Sequence, residues 1–311
     1  MSNHDPNDGR PDVPNRPLRI ELIPAQPSQT TPDVARTEPP RRRRIRLPVL
    51  LFLATCLSTL FVGSIVGTRF GIELDILTGL KYALPVMTIL ICHEAGHFLQ
   101  ARRHGVRSSL PYFLPMPFTP LGTFGAVIAM DSHIRNRRAL FDIGVSGPLA
   151  GLVPTVAFCV LGLHWSEYVV GRDTFGDPLL LKWLAHCVIG PQPPGEVIVL
   201  NPTLFAGWVG LLITAVNLMP IGQLDGGHVL YALLRTRAHL VARLLLLTAF
   251  VAVILSHYYP WALMLCLLMM MGPDHPPTAD DHQRLGPGRT ILGWLTLAFI
   301  LIGFTPTPIM Y

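Results

Sequence analysis

His93-Glu94-Ala95-Gly96-His97 closes an apolar run that passes through Leu84-Pro85-Val86-Met87-Thr88-Ile89-Leu90-Ile91-Cys92. Its form is H-E-x-x-H. Side chains four apart share one face of a helix, so His93 and His97 can offer two imidazoles to one metal ion. Glu94 lies one residue round, badly placed as a third ligand but within reach of a water on that ion. Two nitrogen ligands, a general base and an open position are the parts of a zinc hydrolase. The setting adds weight, because two His and a Glu in a stretch of membrane length are expensive to bury and call for a function. The bland reading is a helix end turned toward water, since Arg102 and Arg103 follow closely.

The rest of the composition agrees with a membrane setting. The 311 residues are 50% hydrophobic and 14% charged, with a mean hydropathy of +0.44, which suits a multi-span membrane protein better than a soluble domain. Cys56, Cys92, Cys159, Cys187 and Cys266 are scattered and form no C-x-x-C, so they read as small core hydrophobes. Cys92 points about 100° away from His93 on a helix and reads as a neighbour, not a ligand. The net charge of +5 gathers beside the apolar spans, with no basic helix carrying interleaved aromatics, so no nucleic-acid partner is expected.

Residues 1–47 form a polar, Pro-rich and Arg-rich stretch, expected to be a disordered cytoplasmic tail and not a cleaved signal. Apolar spans are expected at about 47–67, 76–101, 139–163, 202–219 and 290–305, with 240–271 long enough for one span plus a short one broken near His257-Tyr258-Tyr259-Pro260. Residues 104–138 are apolar but interrupted by Pro111, Pro115, Pro117 and Pro120, then Gly122 and Gly125. That pattern bars a single helix and predicts a re-entrant or hairpin segment. The small residues Gly144, Ser146, Gly147, Ala150 and Gly151 suit close helix contact. The fold class is therefore an all-α polytopic membrane protein with about six to seven transmembrane helices and a re-entrant or β-hairpin segment near the active site. Its expected parts are the tail 1–47, a core 48–235 and further C-terminal helices 236–311.

Arginine placement gives the orientation. Arg41, Arg42, Arg43, Arg44, Arg46, Arg102, Arg103, Arg107, Arg135, Arg137, Arg138, Arg235, Arg237, Arg243, Arg284 and Arg289 fall on one side of the predicted spans. The other side holds Arg69, Arg172, Lys182 and, if it lies outside, Lys81. The N-terminus and the motif end of its span are expected to face the cytoplasm, in a bacterial plasma membrane.

A catalytic zinc normally takes three protein ligands. Asp131, Asp142, Glu167 and Asp225 are the acidic candidates near span ends. Asp225 is favoured, because Pro220, Gly226 and Gly227 free the backbone around it. The competing reading makes it the cap of a following helix.

His-Glu-Ala-Gly-His on one span and Asn217-Leu218-Met219-Pro220-Ile221-Gly222-Gln223-Leu224-Asp225-Gly226-Gly227 on a later one together resemble the site-2 protease family of intramembrane zinc metalloproteases. The resemblance covers roughly 76–235. Gly122-Thr123-Phe124-Gly125 is similar to the family's G-x-F-G element, and Ser146-Gly147-Pro148-Leu149-Ala150-Gly151 to its G-P-x-A-G helix. It implies one Zn2+ per chain held by His93, His97 and Asp225, with Glu94 as catalytic base. Asn217, Gly122, Phe124 and Gly125 are the implied substrate-binding residues. His228, three residues past Asp225, reads as a neighbour because the ligand set is already complete. The stretch 164–200 is too short for the PDZ module many members carry, and nothing after 235 resembles their CBS pair, so the chain resembles the minimal bacterial and plastid form.

The expected activity is hydrolysis of a peptide bond in or near a transmembrane segment of a membrane-protein substrate within the lipid bilayer. The expected β-rich stretch 121–130 would receive the unwound substrate as an edge strand. A zinc transporter would need a second polar metal motif on a neighbouring span, and none appears in 139–163. A non-catalytic relative that only binds membrane partners is opposed by the intact His93, Glu94, His97 and Asp225. No oligomeric state follows from the sequence.

Overall fold

The computed structural model describes residues 45–68, 71–130, 134–171 and 175–308. The expected tail, up to residue 44, and Asp131 lie outside the described residues. In chain order the elements are α1 (Arg46–Ser64), the hairpin β1 (Ile65–Thr68) and β2 (Gly71–Leu74), α2 (Ile76–Arg103), the hairpin β3 (Tyr112–Met116) and β4 (Gly122–Val127), and α3 (Arg137–Leu163). Next come β5 (Tyr168–Val170), α4 (Leu179–Val188), β6 (Glu196–Ile198), α5 (Pro202–Asn217) and α6 (Asp225–Leu234). After these follow α7 (Arg237–Ser256), a 3-10 turn (Tyr259–Trp261), α8 (Ala262–Met271), α9 (Pro287–Ala298) and α10 (Ile300–Gly303). The fold is mostly helical, and β3 and β4 form a hairpin within 104–138, where a re-entrant or hairpin segment is expected; two further antiparallel ladders, not expected from the sequence, join β1 to β2 and β5 to β6. The first of these also shortens the first expected span, since 65–68 is apolar yet extended.

Four helices, α1, α2, α3 and α7, are long and apolar enough to cross a membrane. The shorter apolar stretches include α4, α5, the 3-10 turn with α8, and α9 with α10.

Local chemistry sets the helix ends. Asp75 caps α2, its carboxylate accepting from the Leu77 amide at 2.9 Å. Asn136 caps α3 through Ala139 N at 2.9 Å, and Asn201 caps α5 through Leu204 N at 3.0 Å. Pro85 lies inside α2 and removes the donor that would satisfy the Lys81 carbonyl; Thr203 Oγ1 of α5 supplies one at 3.3 Å.

In lipid, helix association depends on close packing more than on the hydrophobic effect. The seam between α2 and α3 is close to backbone-on-backbone: a Cβ on Gly96 would collide with the Ser146 carbonyl, and one on Gly147 with the His97 ring. On the other face of the core, Tyr82 of α2, Phe205 and Trp208 of α5 stack in series, at 5.4 and 5.7 Å between ring centroids. Two hydrogen bonds of 2.6 Å hold the β3–β4 hairpin, from Ser58 Oγ to Gly122 O and from Tyr82 Oη to Leu121 O. The C-terminal elements join the same packing, with Leu297 of α9 buried beside Phe141 of α3 and Leu230 of α6.

Candidate metal and catalytic site

His93 and His97 sit one turn apart near the C-terminal end of α2, both buried. α3 packs against them, and its Ile143 carbonyl accepts from His97 Nδ1 at 2.8 Å. A carbonyl only accepts, so Nδ1 carries the proton and Nε2 keeps its lone pair. The third element arrives from much later in the chain. α5 ends at Asn217, the chain turns through Pro220 and Gly222, and α6 starts at Asp225. Leu224, not Asp225, occupies the N-cap, and the Asp225 carboxylate makes no cap bond. It reaches instead to the two imidazoles.

The spacing of the three groups is informative. His93 Nε2 lies 3.2 Å from Asp225 Oδ2, His97 Nε2 3.2 Å from Asp225 Oδ1, and the two Nε2 atoms 3.2 Å from each other. Ligands about 2.0–2.1 Å from a tetrahedral centre stand roughly 3.3 Å apart. His93 and His97 each face a different oxygen of the Asp225 carboxylate, and three ligating groups brought this close in a buried place can hold one metal ion together. Among the described residues, these are the three His, Cys, Asp or Glu side chains able to hold a metal together. Asp142 is instead engaged by Arg289 at 2.8 and 2.9 Å and by His104 at 3.0 Å.

A cavity of about 400 Å³ opens on this cluster. Glu94, buried, lines it next to the two His, and so does Asn217, whose amide nitrogen is 3.4 Å from His93 Nε2. One wall is made by Ala126 and Val127 at the end of β4 and by Ile128 just beyond it. Gly122, Phe124 and Gly125 are not in that wall. Gly122, at φ +70, is pressed against Thr59 of α1. Gly125, at φ +92, sits in a bulge where Phe124 and Gly125 together oppose Leu114, between the pairs Phe113–Ala126 and Pro115–Thr123. Both glycines shape the strand, and the residues after them face the cavity. His275, Pro276, Pro277 and Thr278, beyond the core 48–235 expected from sequence, also line it. A Pro-Pro pair in a polar loop was the one sequence signal there, and it does not say where the loop folds.

The sequence pattern of Peptidase family M50 matches residues 81–256, more than half of the chain, and spans every residue of the cluster. The chain belongs to peptidase family M50. This is the family of the site-2 proteases. "Probable zinc metalloprotease EGY1, chloroplastic" of Oryza sativa subsp. japonica is 36% identical over 162 residues, covering 49% of this chain and 28% of its own length. The EGY1 protein of Arabidopsis thaliana is 31% identical over 238 residues, 73% of this chain and 43% of its own. EGY2 of Arabidopsis thaliana is 28% identical over 241 residues, covering 75% and 43%. The M50 chain thus spans less than half the length of these relatives. All three are named as chloroplastic and come from plants, so the expected bacterial plasma membrane gains no support from them. No solved structure matches.

Proposed function

We propose that this M50 chain is a zinc metalloendopeptidase that cuts a peptide bond within or near a transmembrane segment of a membrane-protein substrate. The observation that carries the reading is the convergence of His93, His97 and Asp225, with Glu94 beside them, on one buried cavity. Those three residues hold one Zn2+ per chain, in keeping with the zinc metalloproteases named above. The ion, when bound, polarises a carbonyl and lowers the pKa of water. Glu94, one residue off the ligand face, takes a proton from the attacking water and delivers it to the leaving amine. The Ile143 carbonyl fixes the His97 tautomer. Asn217 holds a substrate main-chain group. A substrate helix hides its peptide bonds, so it must unwind before attack, and the end of β4 at Ala126 and Val127, continued by Ile128, offers main-chain partners to the extended segment.

The protein is read as a multi-pass integral membrane protein with its N-terminus and its zinc end on the cytoplasmic side. Seven crossings result if α5, the turn with α8, and α9 with α10 each traverse beside the four long helices. The deciding experiment is Glu94→Gln. Purified variant should retain zinc and lose peptide cleavage by a factor on the order of 10²–10⁴. Normal cleavage, or zinc uptake into liposomes by the wild-type chain with no cleavage, overturns the reading.

A further inference from the structure

The segment 272–286 runs from α8 to α9 without regular structure and contributes four residues to the cavity wall. It is tied down along its length. Gly222 N donates to Pro273 O at 3.1 Å, Ala279 N to Ile134 O at 3.0 Å, and Tyr231 Oη to Asp281 Oδ2 at 2.7 Å. Arg243 pairs with Asp274, and His239 Nε2 donates to the His275 carbonyl at 3.0 Å. Tyr231 stacks on His275 at 4.7 Å and on His239 at 5.6 Å, which fixes the His275 ring plane.

The partners of His275 then dictate a chain of protons. His275 Nδ1 lies 2.6 Å from the Pro276 carbonyl, which can only accept, so Nδ1 carries a hydrogen. Burial pulls the His275 pKa down to about 4, so the ring is neutral near pH 7 and Nε2 is a lone pair. That lone pair is 2.6 Å from His228 Nδ1, so His228 must donate from Nδ1. Neutral His228 is left with a bare Nε2, which has no hydrogen-bond partner among the described residues. His228 lines the same cavity as Glu94 and Asn217.

We propose that His228 binds substrate, its Nε2 accepting a hydrogen bond from a substrate backbone N–H, and that His275 is a positioning residue that locks His228 in that tautomer. The inference rests on the peptidase reading above. An extended chain points alternate N–H groups to its two edges. The edge of β4 serves one side. Donors on the other side, taken out of their own helix, need an acceptor. A histidine whose only donor is already engaged can do nothing but accept.

The test uses the full chain in detergent and, as probe, a fluorophore-labelled single-span peptide, Leu-rich with a central Asn-Gly pair. Histidine-selective 15N spectra, assigned with H228F and H275F, should show His228 protonated at Nδ1 and bare at Nε2. H275F keeps a ring to stack on Tyr231 but removes the acceptor; H275Q returns an amide oxygen near the Nε2 position. H228F and H275F should keep zinc and lose roughly 10–100-fold in kcat/KM, and H275Q should recover most of it. Replacing substrate N–H groups one at a time by ester oxygen should reveal one position that slows the wild type about tenfold and leaves H228F unaffected. A His228 protonated at Nε2, an H228F that cleaves normally, or one that loses its zinc overturns the assignment. Wild-type protein with neither zinc nor cleavage overturns the peptidase reading and this assignment with it.

Discussion

Gly147→Ala is the smallest change that tests how the site is held. A methyl group there falls inside the imidazole of His97. Carbon atoms need about 3.5–4 Å of separation, so the ring or the helix has to retreat by roughly 1–2 Å. Parting the helices instead would give up the close packing that Gly96 makes against the Ser146 backbone of α3. The ring is therefore expected to turn. Turning it breaks the 2.8 Å bond to the Ile143 carbonyl and moves Nε2 off its 3.2 Å spacing from Asp225. Loss of an orienting bond of this kind weakens metal binding about 10–100-fold, and a displacement near 1 Å slows chemistry about 10²-fold. Zinc competition with a chromogenic chelator, on purified protein of matched helicity, measures the first; cleavage of a single-span peptide at saturating zinc measures the second. Val153→Ala, on the same helix but 72% exposed, should change neither. A folded Gly147→Ala protein with wild-type zinc affinity and rate would show that His97 is not held by this seam.

Three further outcomes follow from the structure. His93→Ala, His97→Ala and Asp225→Ala should each strip the metal from the purified protein while Cys92→Ala keeps it; full zinc in Asp225→Ala would remove the third ligand from the proposal. Neighbouring N–H groups in a strand face opposite edges, so one of Val127→Pro and Ile128→Pro should cut cleavage about tenfold with zinc intact, and two unaffected variants would end the edge-strand reading. A reporter fused within 272–286 should read cytoplasmic and one within 189–195 external, and the reverse pattern would invert the orientation drawn from the arginines.

The histidine spacing and the long apolar runs were open to reading because both are local: a period of four, or twenty apolar residues, carries its own geometry. Asp225 was harder. Pro220, Gly226 and Gly227 favour it as a ligand but leave the cap open as a rival; that Leu224 takes the cap and the Asp225 carboxylate meets His93 across 132 positions is a fact of three dimensions. The strand falls within the stretch 121–130 read from the sequence, but Ala126, Val127 and Ile128 line the cavity while Gly122 and Gly125 serve a close approach to α1 and a bulge, and glycine for shape looks the same as glycine for substrate. Ile65-Val66-Gly67-Thr68 continues the hydropathy of α1, and only the chain reversal that pairs it with 71–74 shows that the helix has stopped. The segment 272–286 has no period at all, so its return to the cavity left no trace in the sequence.

The free edge of β4 has a consequence for which proteins such an enzyme would cut. Main-chain hydrogen bonds are the same for every residue but proline, so a wall made of backbone cannot tell one side chain from another. What differs between candidate substrates is the free energy needed to straighten them. Exchanging one Ala for Gly in a helix lowers that requirement by about 1 kcal/mol, roughly a fivefold gain in the population already unwound. On the proposed reading, selection would fall on frailty, with helices interrupted by Gly, Asn or Ser surrendered first and uniform Leu-rich anchors passed over.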